Sequence, residues 1–155
     1  MRLWHKDLIP YLPQKQLVAQ WRELCCIAKN IADNGTPNHL LVNKILDYRS
    51  QHLKQYSDIV LHEMIKRGYK ISKQSYENFI KNVCKAEFED KFGIMFCNAL
   101  YEYWMNDKYL IQCYYNLQEK YDCGGLTDDE WNEIDLFVSF HLRYKRDCNC
   151  TKGEK

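Results

Sequence analysis

The sequence predicts an all-α protein that folds as one compact helical bundle. Apolar residues recur every three or four positions through most of the chain, which is the spacing of amphipathic helices. Runs in which β-branched and polar residues alternate, the pattern of strands, are absent. The chain has 155 residues, a common length for one domain, and 46% of them are hydrophobic, which can supply a substantial core.

The first part of the chain predicts an extended segment followed by a long helix. Pro10 and Pro13 interrupt the first residues, and Pro13 suits the first turn of a helix because proline has no N–H to donate. Asn34-Gly35 is a typical helix end. Between these limits an apolar stripe follows helical spacing to about Ile31, through Leu17, Val18, Trp21, Leu24, Cys25 and Ala28.

The middle of the chain predicts two further helices. We expect Thr36 to cap the first of them, with Pro37 at its first helical position. A break is expected near residues 47–50, and the helix after it should stop at Gly68, since glycine readily takes the left-handed conformation of a helix end.

Capping residues also set the expected limits of the later helices. The predicted starts are Ser72, Asn106 and a Thr127–Glu130 capping box, and the predicted stop between the last two is Gly124-Gly125. Gly93 should interrupt the helical pattern, which then continues through Phe96, Leu100 and Trp104. We expect the helical domain to span residues 1–147 and residues 148–155 to form a flexible tail.

Charge is unevenly placed along the chain, although the net charge is only +1. Residues 1–75 hold 12 Lys and Arg against 6 Asp and Glu, whereas residues 76–155 hold 10 against 15. The first half could therefore face a polyanion such as a nucleic acid. A chance imbalance between solvated helix faces explains the same numbers equally well.

Composition also limits the cellular compartment and the cofactors that we expect for this protein. The opening residues carry no apolar run, and no stretch approaches the roughly 20 apolar residues of a membrane span, so we expect a cytoplasmic protein without a membrane partner. The eight cysteines are expected to be reduced thiols. They lack the paired C-x-x-C spacing of zinc sites, and we therefore predict no metal.

Arg22 and Glu23 stand out on the first helix because neither belongs to its apolar stripe. Such a pair is common on a solvated helix face, and by spacing alone that interpretation is favoured. The interpretation of this pair changes because several other segments occur with it in a particular order along the chain.

Several segments together resemble the phage-type pyrimidine-dimer DNA glycosylases, the endonuclease V family. Residues 16–24 (QLVAQWREL) are similar to the family's L-x-A-x-[aromatic]-R-E-L stretch, and residues 61–71 (LHEMIKRGYKI) to its long helix that ends in K-R-G-[aromatic]-x-I. Residues 1–5 (MRLWH), 39–43 (HLLVN) and 107–120 look like a bacterial branch of that superfamily. The resemblance covers mainly residues 1–71.

The resemblance implies a fold in which the N-terminal segment threads between helices and brings Met1 close to Glu23. It also implies chemistry without a metal or organic cofactor. The terminal α-amine of Met1 would attack C1′ of a damaged nucleotide, expel the base and form a Schiff base, and β-elimination would then cut the strand. An α-amine suits this task because α-amines titrate at about 7.7–8.0, against roughly 10.4 for Lys.

The same resemblance assigns roles to other residues. Glu23 matches the catalytic carboxylate, which would stabilise developing positive charge and move protons. Arg22 and Arg2 match residues that hold phosphates beside the lesion, and His39 is a further candidate DNA contact, although a lone His near a helix start is more often structural. The implied partner is double-stranded DNA with damaged bases, bound by a monomer.

The chain departs from the family pattern at three places. Met1 stands where the phage-type enzymes start with Thr, Gln16 replaces a His, and Cys25-Cys26 stand where a basic residue is expected. Two other functions therefore stay open. One is a helical module that binds nucleic acid without catalysis, and the other is a helical interaction protein that contacts a protein partner through its exposed aromatic residues.

Overall fold

The protein is all-helical in a computed structural model that describes residues 1–91 and 99–150, with side chains described as far as Arg143. Two short 3₁₀ helices, Lys6–Tyr11 and Asn43–Asp47, accompany five α-helices in these ranges. The α-helices are α1 (Gln14–Asn34), α2 (Ser50–Lys66), α3 (Lys73–Lys85), α4 (Asp107–Asp122) and α5 (Asp128–Cys150). The predicted all-α class is confirmed. None of the described helices is both long and apolar enough to cross a membrane.

The long first helix forms within the predicted limits. Pro13 precedes α1 as its N-cap, and Gly35 ends it with a φ of 70°, a left-handed conformation that costs glycine little. The apolar stripe of α1 is buried: Leu17, Trp21, Leu24, Ile27, Ala28 and Ile31. α1 is central to the fold, since it packs against both α2 and α3, while α4 pairs with α5.

The first residues of the chain run through the interior, as the resemblance implied. Leu3 and Trp4 are buried, and so are Leu8 and Ile9 of the 3₁₀ helix Lys6–Tyr11. This 3₁₀ helix contacts both α2 and α5. The N-terminal segment, by which we mean residues 1–5, is therefore part of the core through residues 3–5, whereas Met1 and Arg2 lie at the edge of the core.

The helix predicted to start at Thr36 does not form. The Thr36 hydroxyl oxygen instead accepts from the Asn38 backbone N–H over 3.2 Å, and Asn38 has a φ of 60°. A left-handed residue at this point prevents α-helix growth, so residues 36–42 form turns. Only the 3₁₀ helix Asn43–Asp47 follows, and the predicted break before α2 is confirmed.

The other predicted caps are confirmed. Ser72 accepts from the Ser75 N–H, and Asn106 accepts from the Tyr109 N–H over 3.1 Å. The capping box is reciprocal, because Glu130 accepts from the Thr127 N–H over 2.9 Å while Thr127 accepts from the Glu130 N–H. Gly68 and Gly124, which follow α2 and α4, also have positive φ.

The helical pattern expected through Leu100 and Trp104 is wrong, because residues 99–106 form turns. Tyr101 has a φ of 50° and is fully buried, with its N–H donating to Nδ1 of His52 over 3.3 Å. A turn forms here instead of a continued helix because the Tyr101 ring is buried in the core. Gly93 and Phe96 lie outside the described residues, and the domain limit at residue 147 stays a prediction.

Candidate active site

A buried glutamine holds the N-terminal segment against α1. Gln20 is fully buried among apolar residues of the helix, although its side chain is polar. Its Oε1 accepts from the Trp4 N–H over 2.9 Å, and its Nε2 donates to the Arg2 carbonyl over 3.1 Å. Since a buried backbone group without a partner is costly, these bonds fix the segment's position along the helix.

Two tyrosines complete the hydrogen bonding of the same segment. The Tyr56 hydroxyl of α2 donates to the Trp4 carbonyl over 2.7 Å and lies 3.1 Å from Gln20 Oε1. The Tyr109 hydroxyl of α4 donates to the Leu3 carbonyl. Burial raises the pKa of both hydroxyls, which keeps them as donors. Three helices therefore hold three consecutive residues of the segment.

The start of the chain meets Glu23 directly. The Arg2 backbone N–H donates to Glu23 Oε2 over 3.0 Å, across a sequence separation of 21. Trp4 lies beside Gln20 and Arg2 lies beside Glu23, so the segment, followed back from Trp4 to Met1, points towards the C-terminal end of α1. Met1 comes next in that direction and is 37% exposed. The first residue therefore emerges from the core next to a half-buried carboxylate.

The two predicted phosphate-binding arginines lie in different environments. Arg22 is exposed on the outer face of α1, next to Glu23. Arg2 is half-buried, and its guanidinium carbon lies 5.5 Å from the centre of the Trp4 ring, a cation–π distance. Burial raises the pKa of the Cys113 thiol on α4, and the nearby Arg2 guanidinium partly opposes that effect. Arg22 is thus the more accessible cation beside Glu23.

His39 lies on the turns after α1, apart from the hydrogen bonds that join Arg2 to Glu23. Glu23 precedes the end of α1 by eleven residues, about 16 Å along the helix axis. Asn30 donates to the Pro37 carbonyl over 3.2 Å, which ties the turns to the last part of α1. Within the described part of the chain, Nδ1 of His39 is enclosed and has no hydrogen-bond partner.

Arg67 has a structural role. Its Nε donates to the buried Glu63 over 2.6 Å, and its two terminal nitrogens donate to the carbonyls of Leu12 and Pro10 over 2.6 and 2.7 Å. It therefore ties the end of α2 to the segment that precedes α1. The Glu63–Arg67 pair has the four-residue spacing of one helical turn, whereas the carbonyl partners of Arg67 lie 55 and 57 residues away in sequence.

Sequence reasoning missed Gln20, Tyr56 and Tyr109 as residues that position the start of the chain. One signal was available for Gln20, since a polar residue on a stripe that is otherwise apolar needs hydrogen-bond partners in the core. Tyr109 lies 106 residues from its partner Leu3, and no short-range pattern could reveal that contact.

The described residues contain no group of three or more His, Cys, Asp or Glu that could hold a metal ion. The cysteines described as free thiols are Cys25, Cys26, Cys84, Cys113 and Cys123.

Comparison with known proteins bears on these residues directly. Residues 1–77 match the sequence model of the family described as Pyrimidine dimer DNA glycosylase. The match spans the N-terminal segment, α1, α2 and the start of α3, and so includes Arg2, Arg22 and Glu23. Comparisons with the curated proteins and with the solved structures gave no match.

Proposed function

The chain belongs, through its residues 1–77, to the pyrimidine dimer DNA glycosylase family, and we propose that it removes damaged pyrimidines from DNA and cuts the strand by β-elimination. In this proposal the α-amine of Met1 is the nucleophile and Glu23 is its partner. The supporting observation is the 3.0 Å hydrogen bond from the Arg2 N–H to Glu23, which holds the residue after the amine against the carboxylate.

The reaction begins at C1′ of the damaged nucleotide. The amine lone pair forms a bond to C1′, and the bond to the base breaks as the base leaves with the electron pair and gains a proton. Opening of the sugar ring then gives a protonated imine between C1′ and the amine. The Glu23 carboxylate is assigned to stabilise the positive charge that develops at this centre.

Strand cleavage follows from the acidity that the imine creates. Removal of a C2′ proton by a base allows the C3′–O bond to break, which releases the downstream strand with its phosphate. Glu23 is the carboxylate that accepts from the residue after the amine, so we assign it this proton transfer. Water then hydrolyses the imine and returns the free amine.

DNA binding in this proposal relies first on Arg22. A guanidinium can donate to two phosphate oxygens at once, and Arg22 is exposed beside Glu23. Arg2 contributes a second positive charge from its place over Trp4, and His39 is the proposed contact on the turns beyond the end of α1. Reaction at C1′ requires the damaged nucleotide to leave the base stack, because an intact duplex blocks access to that carbon.

The test compares Glu23→Gln with the wild type on a duplex that contains one abasic site. We expect the variant to bind the duplex with similar affinity but to cleave it more slowly by about 10²–10⁴-fold, the usual contribution of a positioned acid–base group. Glu119→Gln, an exposed carboxylate on α4, is the control and should cleave as the wild type does.

Two outcomes separate the rival functions. A wild-type protein that binds the duplex but does not cleave it, with Glu23→Gln binding equally well, identifies a binding module without catalysis. A protein that does not bind DNA, or binds it without dependence on salt, supports the interaction protein instead.

A further inference from the structure

We propose that the groove between α1 and α3 binds the phosphodiester backbone of the DNA that flanks the lesion. This inference rests on the proposed function, because it extends the DNA contact beyond the residues around Met1 and Glu23. Most of the α3 wall of this groove, residues 78–85, lies outside the family match, and Ser75 lies within it.

The groove has a volume of about 590 Å³ and is open along its length. α1 and α3 run side by side here, since Cys25 lies 3.6 Å from Ser75 and the Trp21 and Phe79 rings are 5.4 Å apart. Cys25 and Phe79 form part of the lining, and the polar groups that line the rest include Lys29, Ser75, Asn78, Lys81, Asn82 and Lys85.

The charge of the groove favours an anion. Three lysines line it against one acidic residue, Asp33. Asp33 pairs with Lys85 over 3.3 Å, but both side chains are largely exposed, at 46% and 61%. An exposed pair of this kind contributes at most about 1 kcal/mol, so an arriving phosphate can replace the carboxylate as the partner of Lys85.

The types of side chain favour a nucleic acid backbone in particular. Lysine, serine and asparagine side chains supply many of the contacts that proteins make to phosphate oxygens. Here they lie on facing walls, so phosphates in the groove would be contacted from both sides. The apolar part of the lining includes the buried Phe79 ring. This ring has no hydrogen-bond acceptor that could compete with a phosphate for the donors of the groove.

The groove lies along the same helix as the proposed active site, towards its C-terminal end. Arg22, Cys26 and Lys29 occupy successive turns of the exposed face of α1, and Arg22 is adjacent to Glu23. Arg22 and Lys29 are separated by about 10 Å along the helix, and the Asp33–Lys85 pair lies one further turn on. A DNA strand bound at Glu23 would therefore pass a row of positively charged side chains as it leaves the proposed active site.

The acidic start of α5 makes this direction the favourable one. α5 begins with Asp128, Asp129 and Glu130, and these negative charges repel a polyanion. We therefore expect the flanking duplex to follow α1 and α3 and to avoid the α4–α5 pair.

The first experiment measures the salt dependence of binding to a 20-base-pair duplex that carries a central tetrahydrofuran abasic analogue. Each lost phosphate contact lowers the slope of log Kd against log salt by about 0.9. We expect the double variant Lys81→Gln/Lys85→Gln to lower that slope by about 2 relative to the wild type. Lys120→Gln/Arg143→Gln removes the same charge from α4 and α5 and should leave the slope unchanged.

The second experiment uses the thiols already present in the chain. Cys26 is exposed in the groove, and Cys123 is exposed after α4. Addition of the duplex should slow alkylation of Cys26 at least about fivefold without slowing that of Cys123. Equal slopes for both double variants and the wild type, or alkylation of both thiols at unchanged rates, would overturn the proposal.

Parallel borohydride trapping on a true abasic duplex separates this inference from the proposed function. A slope change and thiol protection without a trapped adduct would support the groove and refute the catalytic proposal. A trapped adduct in the wild type and both variants, with unchanged slopes and no protection, would leave the catalytic proposal standing and refute the groove.

Discussion

The Arg2 backbone N–H lies 3.0 Å from Oε2 of Glu23, and this bond aligns the start of the chain with the middle of α1. It is the last of a series of bonds in which Gln20, Tyr56 and Tyr109 hold the carbonyl and N–H groups of residues 2–4. The position of the first residue therefore depends on side chains from three helices, and each of them can be removed separately.

Gln20→Leu tests the central member of that series. The substitution leaves the Trp4 N–H and the Arg2 carbonyl without their partner inside the core. We expect the free energy of unfolding to fall by about 2–4 kcal/mol, since each unpaired buried group costs about 1–3 kcal/mol. Urea denaturation measures this change. Gln55→Leu, at an exposed position on α2, should stay within about 0.5 kcal/mol of the wild type.

Under the proposed mechanism the same variant should also lose activity at a temperature where it remains folded, because the segment that carries the amine has lost its anchor on α1. Full cleavage activity in folded Gln20→Leu would show that the segment finds its place without this side chain.

Tyr56→Phe removes one hydroxyl and keeps the ring. The Trp4 carbonyl then loses a donor at 2.7 Å in a fully buried position, and we expect a loss of about 1–3 kcal/mol of stability. The matched control is Tyr115→Phe, whose side chain is 60% exposed. Equal stabilities of the two variants in denaturant titrations would argue against the hydrogen bond as a stabilising contact.

Arg67→Gln should destabilise the fold without weakening DNA binding. It removes the nearer partner of the buried Glu63 and the donors to two carbonyls, which we expect to cost about 2–4 kcal/mol. Adding Glu63→Gln should restore part of that stability, because the buried charge that has lost its nearer partner is then gone. Lys66→Gln removes the second partner of Glu63, which lies 3.5 Å away on a side chain that is 66% exposed, and should cost less than Arg67→Gln. Weaker DNA binding by folded Arg67→Gln would instead assign Arg67 to the DNA interface.

Stability should fall as the pH drops below about 6.5, because burial lowers the pKa of His5 and of His52 from that ordinary value. Neutral His5 bridges the Met105 carbonyl and the Asp7 N–H. Below pH 6.5 the unfolded chain binds protons that the folded protein resists, so each His lowers stability by up to about 1.4 kcal/mol per pH unit.

His5→Asn checks this assignment. The variant should be less stable at pH 7 but should lose less stability than the wild type between pH 6.5 and 5, as measured by denaturation at each pH. An unchanged pH dependence would exclude His5 as a source of the effect.

The helix ends could be predicted from the sequence because the chemistry of a cap is local. Gly35 and Gly68 end helices with positive φ, and Ser72 and Asn106 cap them with their own side chains. The turns at residues 36–42 and 99–106 could not be predicted in this way. Contacts that are distant in sequence decide the second of them, notably the burial of Tyr101 beside His52.

The candidate site also has a part that local sequence patterns predicted and a part that they did not. Arg2 and Glu23 are in contact although they lie 21 positions apart in the sequence. Only the resemblance to a family indicated that contact. Apolar periodicity located α1 and placed Glu23 off its buried stripe. It could not show that Gln20 reaches back to the start of the chain, because that bond depends on how the segment packs.

The identity of the nucleophile is the claim on which the catalytic account depends. Incubation with an abasic-site duplex and borohydride should reduce the imine to a stable covalent adduct, and peptide mapping by mass spectrometry should place the DNA on Met1. Acetylation of the terminal amine should abolish the adduct. An adduct on a lysine, or one that persists after acetylation, would contradict the account.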